Sequence, residues 1–186
     1  MSEETKKAPA IRFQGFTDDW EQRKLGDLLL NIGTGKSKYI IHETQSVDTP
    51  YPILGSRSII GYDNNYDYTG DFILTARVGE NAGKLYRYSG NAKITDNTVF
   101  MQSDSLVFNF YLLLHSDLTK LSFGSGQPLI KASEIKGLEV VVPKDSEEKN
   151  RIASFFYSLD NLITLHQSKL DKLKNLKKAY LNEMFI

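Results

Sequence analysis

The chain has 186 residues, of which 40% are apolar, with ten Phe and ten Tyr. This is enough for one domain with a real core plus an extension. The 23 basic and 23 acidic residues balance, so the chain lacks the general basic excess of many nucleic-acid binders, although a local patch is still allowed. The absence of cysteine excludes disulfides, thiolate metal sites and a thiol nucleophile.

The N-terminal stretch predicts no structure of its own. Residues 1–10 are polar and charged, and nowhere in the chain do eighteen apolar residues follow one another. We therefore expect a flexible lead-in, no transmembrane segment and a cytoplasmic location. After an aromatic-rich segment, the residues from Leu28 to Ile32 predict a short helix that ends at Gly33.

The middle of the chain has the pattern of a β-rich domain. From Gly33 to Gln102, short runs of β-branched and aromatic residues alternate with Gly, Asn, Asp and Pro, which is typical of strands joined by turns. The residues from Tyr88 to Asn91 predict a hairpin turn between two of the strands. The predicted strands are Tyr51–Leu54, Ser58–Tyr62, Asp71–Val78, Lys84–Tyr88 and Asn97–Met101.

A helix and a last strand follow. Asp104 or Ser105 can cap a helix over residues 106–115, whose apolar side would carry Phe108, Tyr111, Leu112 and Leu114. A glycine-rich loop is expected over residues 123–135. The run of apolar residues before Pro143 then predicts a strand with a proline stop.

The C-terminal residues, 145–186, read as one long amphipathic helix. Asp145 is a good cap, and Glu148 completes a capping-box pattern. No Gly or Pro interrupts the segment, which would be roughly 58 Å long at 1.5 Å per residue. On a heptad grid, two core rows predict a seam that pairs with another helix, with polar His166 and Lys177 among its positions. The apolar and aromatic seam residues are Ile152, Phe156, Leu159, Ile163, Leu170, Leu173, Tyr180 and Met184.

The sequence thus predicts an α+β fold: a β-rich domain with short helices at residues 11–144, then one long coiled-coil-like helix. Gly33 to Ser37 contains the Gly-Lys-Ser of a phosphate-binding loop, but Leu30 stands where that motif needs glycine. We therefore interpret the segment as a loop whose Lys36 and Lys38 can reach a phosphate backbone. The three histidines lack metal-ligand spacing, and we expect no metal site and no catalytic residue.

Local charge suggests a binding surface. Between Arg77 and Lys93 four basic residues face one acidic residue, Glu80, for a net charge of +3. Arg and Asn side chains can read base edges, and Lys can hold phosphates. The alternative is an ordinary solvated hairpin. The candidate DNA-binding residues are Lys36, Lys38, Arg57, Arg77, Lys84, Arg87 and Lys93, with Gln127 as an outside candidate.

Three segments resemble the specificity subunit of type I restriction-modification enzymes. They are the opening PAIRFQGFTDDWEQRKLGDL, the central GSGQPLIKASEIKGLEVVVPKDSEEKNRIASFFYSLDNLI, and the closing LHQSKLDKLKNLKKAYLNEMFI. Glu148 and Lys149 stand where the family commonly has Glu-Gln. The resemblance implies that residues 11–144 form a target recognition domain and residues 145–186 a spacer helix. A complete subunit has two such units, and this sequence holds one.

The resemblance also implies a role without catalysis. Loops of the recognition domain would enter the major groove of double-stranded DNA, while modification subunits carrying S-adenosylmethionine would methylate adenine at a bipartite site, and a restriction subunit would cut. No cofactor is expected in this chain. The partner of the long helix is a second copy or a second recognition half. A coiled-coil scaffold that binds no DNA is the competing interpretation.

Overall fold

The computed structural model describes residues 8–36, 38–122 and 129–185. These residues form strands, three α-helices and two short 3-10 turns. The strands are β1 Glu21–Lys24, β2 Asn31–Thr34, β3 Tyr51–Leu54, β4 Ile59–Asp63, β5 Asp71–Ala76, β6 Leu85–Ser89, β7 Lys93–Ile94, β8 Thr98–Gln102 and β9 Glu139–Val142. The helices are α1 Leu106–Ser116, α2 Ala132–Gly137 and α3 Ser146–Met184.

A four-stranded antiparallel sheet, in the order β2-β8-β5-β6, forms the centre of the domain. Successive side chains of a strand point to opposite faces, so β5 supplies two cores. Ile73 packs with Met101 and α1 on one face, whereas Phe72 and Leu74 pack with Phe100 on the other. Because both faces of β5 are buried, its sequence is a nearly continuous apolar run rather than an alternation of apolar and polar residues.

Two smaller sheets flank this centre. β4, β3 and β7 form a three-stranded sheet in which β3 and β7 run parallel. β1 pairs with β9 in an antiparallel sheet next to the start of α3. The β1–β9 sheet thus connects the N-terminal segment to the first turns of α3, where Val140, Val142 and Ala153 are buried together.

The predicted strands and the α+β fold class are confirmed. Each strand predicted between residues 51 and 101 lies within two residues of its observed bounds, and the strand before Pro143 is β9. The long helix is also observed, with 39 residues from Ser146 to Met184. Residues 123–128, which carry the glycines of the predicted glycine-rich loop over residues 123–135, lie outside the described residues, and α2 begins within that predicted loop at Ala132.

Two local predictions were wrong because long-range pairing decides them. The predicted helix over Leu28 to Ile32 is a 3-10 turn over Leu25–Leu28 followed by β2, since Ile32 pairs with Met101 of β8. The turn after β6 does not form a hairpin. β6 pairs with β5, and the chain crosses after Gly90 to β7, which pairs with β3.

Two details of the helices also differ from the prediction. On α1, Leu114 is exposed and Leu113 is buried instead. At the start of α3, Asp145 does cap the helix by accepting a hydrogen bond from Glu147 N at 2.7 Å. Glu148 does not complete a capping box, because its carboxylate, 1% exposed, turns to the N-terminal segment.

The N-terminal segment binds the first turn of α3 through the carboxylate of Glu148. The Nε and Nη2 of Arg12 donate to the two Glu148 oxygens at 2.7 and 2.8 Å, and Trp20 Nε1 donates to Oε1 at 3.3 Å. Phe13 meets Phe155 edge to face at 6.0 Å. A two-pronged guanidinium contact fixes orientation as well as position, so the direction in which α3 leaves the domain is set here.

Candidate nucleic-acid interface

A β-turn between β7 and β8 lies where several loops meet. We call residues 95–98 the hub turn. Thr98 N donates to Thr95 O at 3.0 Å and closes it, so Asp96 and Asn97 occupy its two central positions. The Oγ1 atoms of Thr95 and Thr98 share a hydrogen bond of 2.8 Å, and both threonines are buried. The turn therefore has an anchored base and an outward tip.

The loop that carries Lys36 is bound directly to the hub turn. Gly35 N donates to Thr98 O at 3.1 Å, and Lys36 N donates to Ile94 O at 2.8 Å. A Cβ atom on Gly35 would overlap the backbone of Ile94, so only glycine allows this approach. The glycine of the Gly-Lys-Ser stretch, Gly35, thus allows its own backbone to contact the backbone of Ile94.

Two further loops bind the hub turn through one carbonyl group. Asn97 O accepts hydrogen bonds from Arg77 N at 2.8 Å and from Ser56 Oγ at 3.3 Å. The same two loops carry Arg57 and Lys84, both exposed. Lys84 Nζ donates to Asn81 Oδ1 at 3.1 Å within its own loop. Four predicted cations, counting Lys36, thus lie on loops that converge on one turn.

The side chain of Lys36 lies at the surface. Its Nζ lies 3.4 Å from Asp67 Oδ1 and 5.6 Å from the ring centre of Tyr68, with 60% of the side chain exposed. Such exposed pairs contribute little to stability. Exchanging the Asp67 contact for a phosphate would therefore cost little, and Lys36 remains available to a polyanion.

Lys93, by contrast, lies inward. Only 9% of the residue is exposed, and its Nζ lies 3.5 Å from Asp67 Oδ2 and 3.8 Å from Asp63 Oδ2. The same ammonium group donates to Lys38 O at 3.5 Å. Its position gives it a structural role, in which it holds the backbone that presents the exposed Lys38. A direct DNA contact by Lys93 stays a prediction.

Asp63 completes this support. Burial alone would raise the pKa of Asp63, but hydrogen bonds from the backbone N–H groups of Ile40 and Asn65, with the charge of Lys93, outweigh burial and hold the pKa below its ordinary value. The carboxylate is therefore charged in the folded state. It fixes the loop after Lys38 by accepting from Ile40 N at 3.0 Å.

Arg87 lies away from the hub turn, on the edge strand β6. Its guanidinium sits 4.7 Å from the ring centre of Phe110 in α1 and 5.4 Å from that of Tyr157 in α3. Contacts of this kind with aromatic faces are attractive. Arg87 thus joins the central sheet to both helices, and its role as a DNA contact stays a prediction. Gln127 lies outside the described residues.

The predicted seam of α3 divides into two parts. Near its root the helix contacts its own domain: Ile152 packs against the cluster around Val142, Phe156 lies 5.2 Å from the ring of Tyr111, and Tyr111 OH donates to Asp160 Oδ2 at 2.6 Å. Every residue from 161 to 185 is exposed. The apolar seam residues on that free part include Ile163, Leu170, Leu173, Tyr180 and Met184.

A family model described as the type I restriction modification DNA specificity domain matches residues 17–175. The chain belongs to this family. The match covers the central sheet, the hub turn with its loops and most of α3, and it confirms the family that the sequence resemblance predicted. Among curated proteins, none matches the sequence significantly.

Solved structures agree on the fold of this DNA specificity domain. The S subunit of a type I system from M. genitalium is similar over 97% of this chain and 48% of its own, with a TM-score of 0.69 and 17% identity. A chain from a structure on complex assembly and conformational transition of the type I system is similar over 91% of this chain and 47% of its own, with a TM-score of 0.66 and 17% identity. The HsdS subunit from Thermoanaerobacter tengcongensis has a TM-score of 0.59 and 16% identity, over 96% and 47%.

The specificity-domain chain therefore spans about half the length of these solved chains. Within the described ranges, no group of three or more His, Asp or Glu side chains is arranged to hold a metal ion. Neither α3 nor any shorter helix in the described part of the chain combines the length and hydropathy needed to cross a membrane.

The sequence prediction did not identify the hub turn, on which the loops that carry several predicted cations converge. The predicted strand begins at Asn97 and so takes in the second half of residues 95–98, although Asp-Asn between β-branched runs is a turn signal. The sequence prediction also missed the support from Asp63 and Asp67, because the sequence around an acidic residue gives no sign of the distant buried lysine that it will face. Which of the predicted basic residues face outward depends on sheet pairing, and their contact with DNA stays a prediction.

Proposed function

We propose that this chain is the DNA sequence-recognition component of a type I restriction-modification complex. It directs adenine methylation, and restriction, by partner subunits to a bipartite duplex site, and it performs no catalysis itself. The observation that carries the proposal is the family match over residues 17–175 on a domain that carries exposed cations on the loops bonded to one anchored turn.

The proposed DNA contacts are the outward cations on the loops around the hub turn. Phosphate contacts from Lys and Arg fix the register of a protein on the duplex, and contacts to base edges carry the sequence. The neutral net charge of the whole chain does not oppose this role, because some acidic residues form ion pairs inside the domain: Asp63 and Asp67 both pair with Lys93. The proposed contacts are Lys36, Lys38, Arg57, Arg77 and Lys84.

A salt titration tests DNA binding. The chain with its modification subunits should bind a duplex carrying the target, and log affinity should fall linearly with log salt by about 0.9 per neutralised phosphate. Arg57→Ala should reduce that slope by about 1 if it contacts a phosphate. Lys24→Ala is the matched control, because this exposed lysine lies on β1 in the separate β1–β9 sheet. Absence of DNA binding by the complex would favour a scaffold without DNA.

The free part of α3 is proposed to pair with a second copy of the chain. Residues 161–185 would extend roughly 38 Å beyond the domain at 1.5 Å per residue, with an unpaired apolar row along them. In proteins most of the stability of a helix comes from packing of its apolar face rather than from helix propensity, so this part of α3 needs a partner. Because the chain spans about half of the similar solved chains, a second copy would occupy the place of their other half.

Antiparallel pairing of two such helices would place the recognition domains at opposite ends with twofold symmetry. The DNA target would then consist of two inverted half-sites with a fixed gap. A helix of about 58 Å limits that gap to roughly 17 base pairs at 3.4 Å per pair. The exposed lysines on the flank of α3 are proposed to face the modification subunits, which supply S-adenosylmethionine. These lysines are Lys169, Lys172 and Lys178.

Sedimentation of the isolated chain tests the pairing. At micromolar concentration we expect a dimer, and Leu170→Glu in the apolar row should give a monomer because it buries an unpaired charge in the seam. Ser168→Glu, on the opposite face of the heptad, should leave the dimer intact. A wild-type monomer would contradict pairing with a second copy, while leaving DNA recognition by the complex as a separate measurement.

A further inference from the structure

The side chain at the tip of the hub turn has the chemistry of a base reader. Asn97 is exposed at a central position of the turn, and in the described part of the chain its amide group makes no side-chain hydrogen bond. A free carboxamide offers one acceptor and two donor hydrogens side by side. In the major groove this pattern matches adenine, whose N6 amino group donates and whose N7 accepts.

The backbone beneath this side chain is fixed from three sides. Asn97 O is already used by Arg77 N and Ser56 Oγ, and Thr95 N donates to Leu54 O at 3.0 Å. The base of the turn is closed by the buried hydroxyl pair of Thr95 and Thr98. A group held in place before binding loses little conformational entropy on binding, which is what selective recognition of one base edge requires.

The neighbours of Asn97 supply the second requirement, which is phosphate contact. Two segments bonded to the turn carry the exposed basic side chains of Lys36 and Arg57. Basic residues hold the duplex through its phosphates whatever its sequence, and a side chain that reaches a base edge in the groove supplies the specificity. The arrangement thus separates positioning, by the cations, from reading, by the amide.

We propose that Asn97 reads an adenine through its carboxamide and determines one base of the recognised half-site. This inference rests on the proposed function, since it names a specificity residue within the same interface. The carboxamide would donate from Nδ2 to adenine N7 and accept at Oδ1 from the N6 amino group.

The experiment is methylome sequencing of cells that carry the chain with its modification subunits. Asn97→Ala should make one adenine position of the half-site permissive and reduce discrimination there by roughly 5- to 150-fold, the range of one bidentate pair. Asn97→Asp should move the preference at that position towards cytosine, whose amino group donates to a carboxylate. All other positions and the gap between half-sites should stay unchanged.

Asn31→Ala is the matched control, because this exposed asparagine lies at the far end of β2, beside Gln102, and should leave the motif unaltered. An unchanged motif in both Asn97 variants overturns the inference, and so does a uniform loss of methylation with the same motif. A circular dichroism spectrum equal to wild type ensures that the variants are folded. If the wild-type complex shows no sequence-specific methylation, the proposed function fails, and the inference fails with it.

Discussion

The hydroxyl pair beneath the hub turn can be tested by a double-mutant cycle. Thr95 and Thr98 are 4% and 0% exposed, and their Oγ1 atoms lie 2.8 Å apart. Thr95→Val or Thr98→Val keeps the shape of the side chain but leaves the other hydroxyl buried without this partner. Each single variant should lower the free energy of unfolding by about 1–3 kcal/mol. Replacing both hydroxyls removes the unpaired group, so the double variant should lie within about 1 kcal/mol of wild type.

Urea unfolding at one fixed protein concentration measures the cycle, because association through α3 would make apparent stability depend on concentration. Fluorescence and circular dichroism should give the same midpoint if unfolding is two-state. If each single variant loses ~2 kcal/mol of unfolding free energy and the double variant loses ~1 kcal/mol, the coupling energy between the two hydroxyls is about 3 kcal/mol in favour of the double variant. A double variant as unstable as the sum of the singles would refute the idea that the hydroxyls satisfy each other.

Three other contacts of the fold, made by Glu148, Gly35 and Asp63, give further predictions. Glu148→Gln should lower the urea midpoint clearly at unchanged m value, because the Arg12 fork loses its charged partner. Gly35→Ala should cost about 1–3 kcal/mol through overlap with the neighbouring backbone, whereas Gly137→Ala, with open space around its Cβ, should change stability by less than ~0.5 kcal/mol. The pKa of Asp63 is lower in the folded than in the unfolded state, so its charged carboxylate stabilises the fold at a pH above the unfolded pKa, and this stabilisation is lost as the pH falls through the folded pKa. The variant Asp63→Asn lacks this group and should therefore lose less stability than wild type on acidification below about pH 4.

Features that depend on local periodicity were predictable from the sequence. α3 follows from an uninterrupted heptad pattern and the cap at Asp145, and its observed start at Ser146 agrees. The strand β5 follows from an apolar run bounded by Gly70 and Arg77. In each case the residues that define the element lie within one stretch of chain, so no knowledge of distant partners is needed.

Features that depend on distant partners were not predictable in the same way. The run from Arg77 to Lys93 reads as one basic hairpin, but β6 and β7 belong to different sheets. Arg87 consequently turns to the aromatic rings of α1 and α3, and Lys93 turns to two aspartates some 30 residues earlier in the chain. Net charge of a segment therefore overestimates the charge it presents to a ligand, since sheet assignment decides which cations face outward.

The same packing suggests that base preference and half-site spacing are controlled by separate residues. The hub turn leads into β8, whose Met101 packs in one core with Phe110 of α1. α1 contacts α3 through Tyr111, which binds Asp160 and stacks on Phe156. A continuous packed path thus joins the hub turn to the helix proposed to set the gap and holds both in fixed relative positions, so a change confined to exposed side-chain atoms leaves this packing intact. Substitutions on exposed atoms of the tip should alter the base that is read, whereas substitutions at the Tyr111 contact should alter the angle of α3 and hence the gap that is accepted.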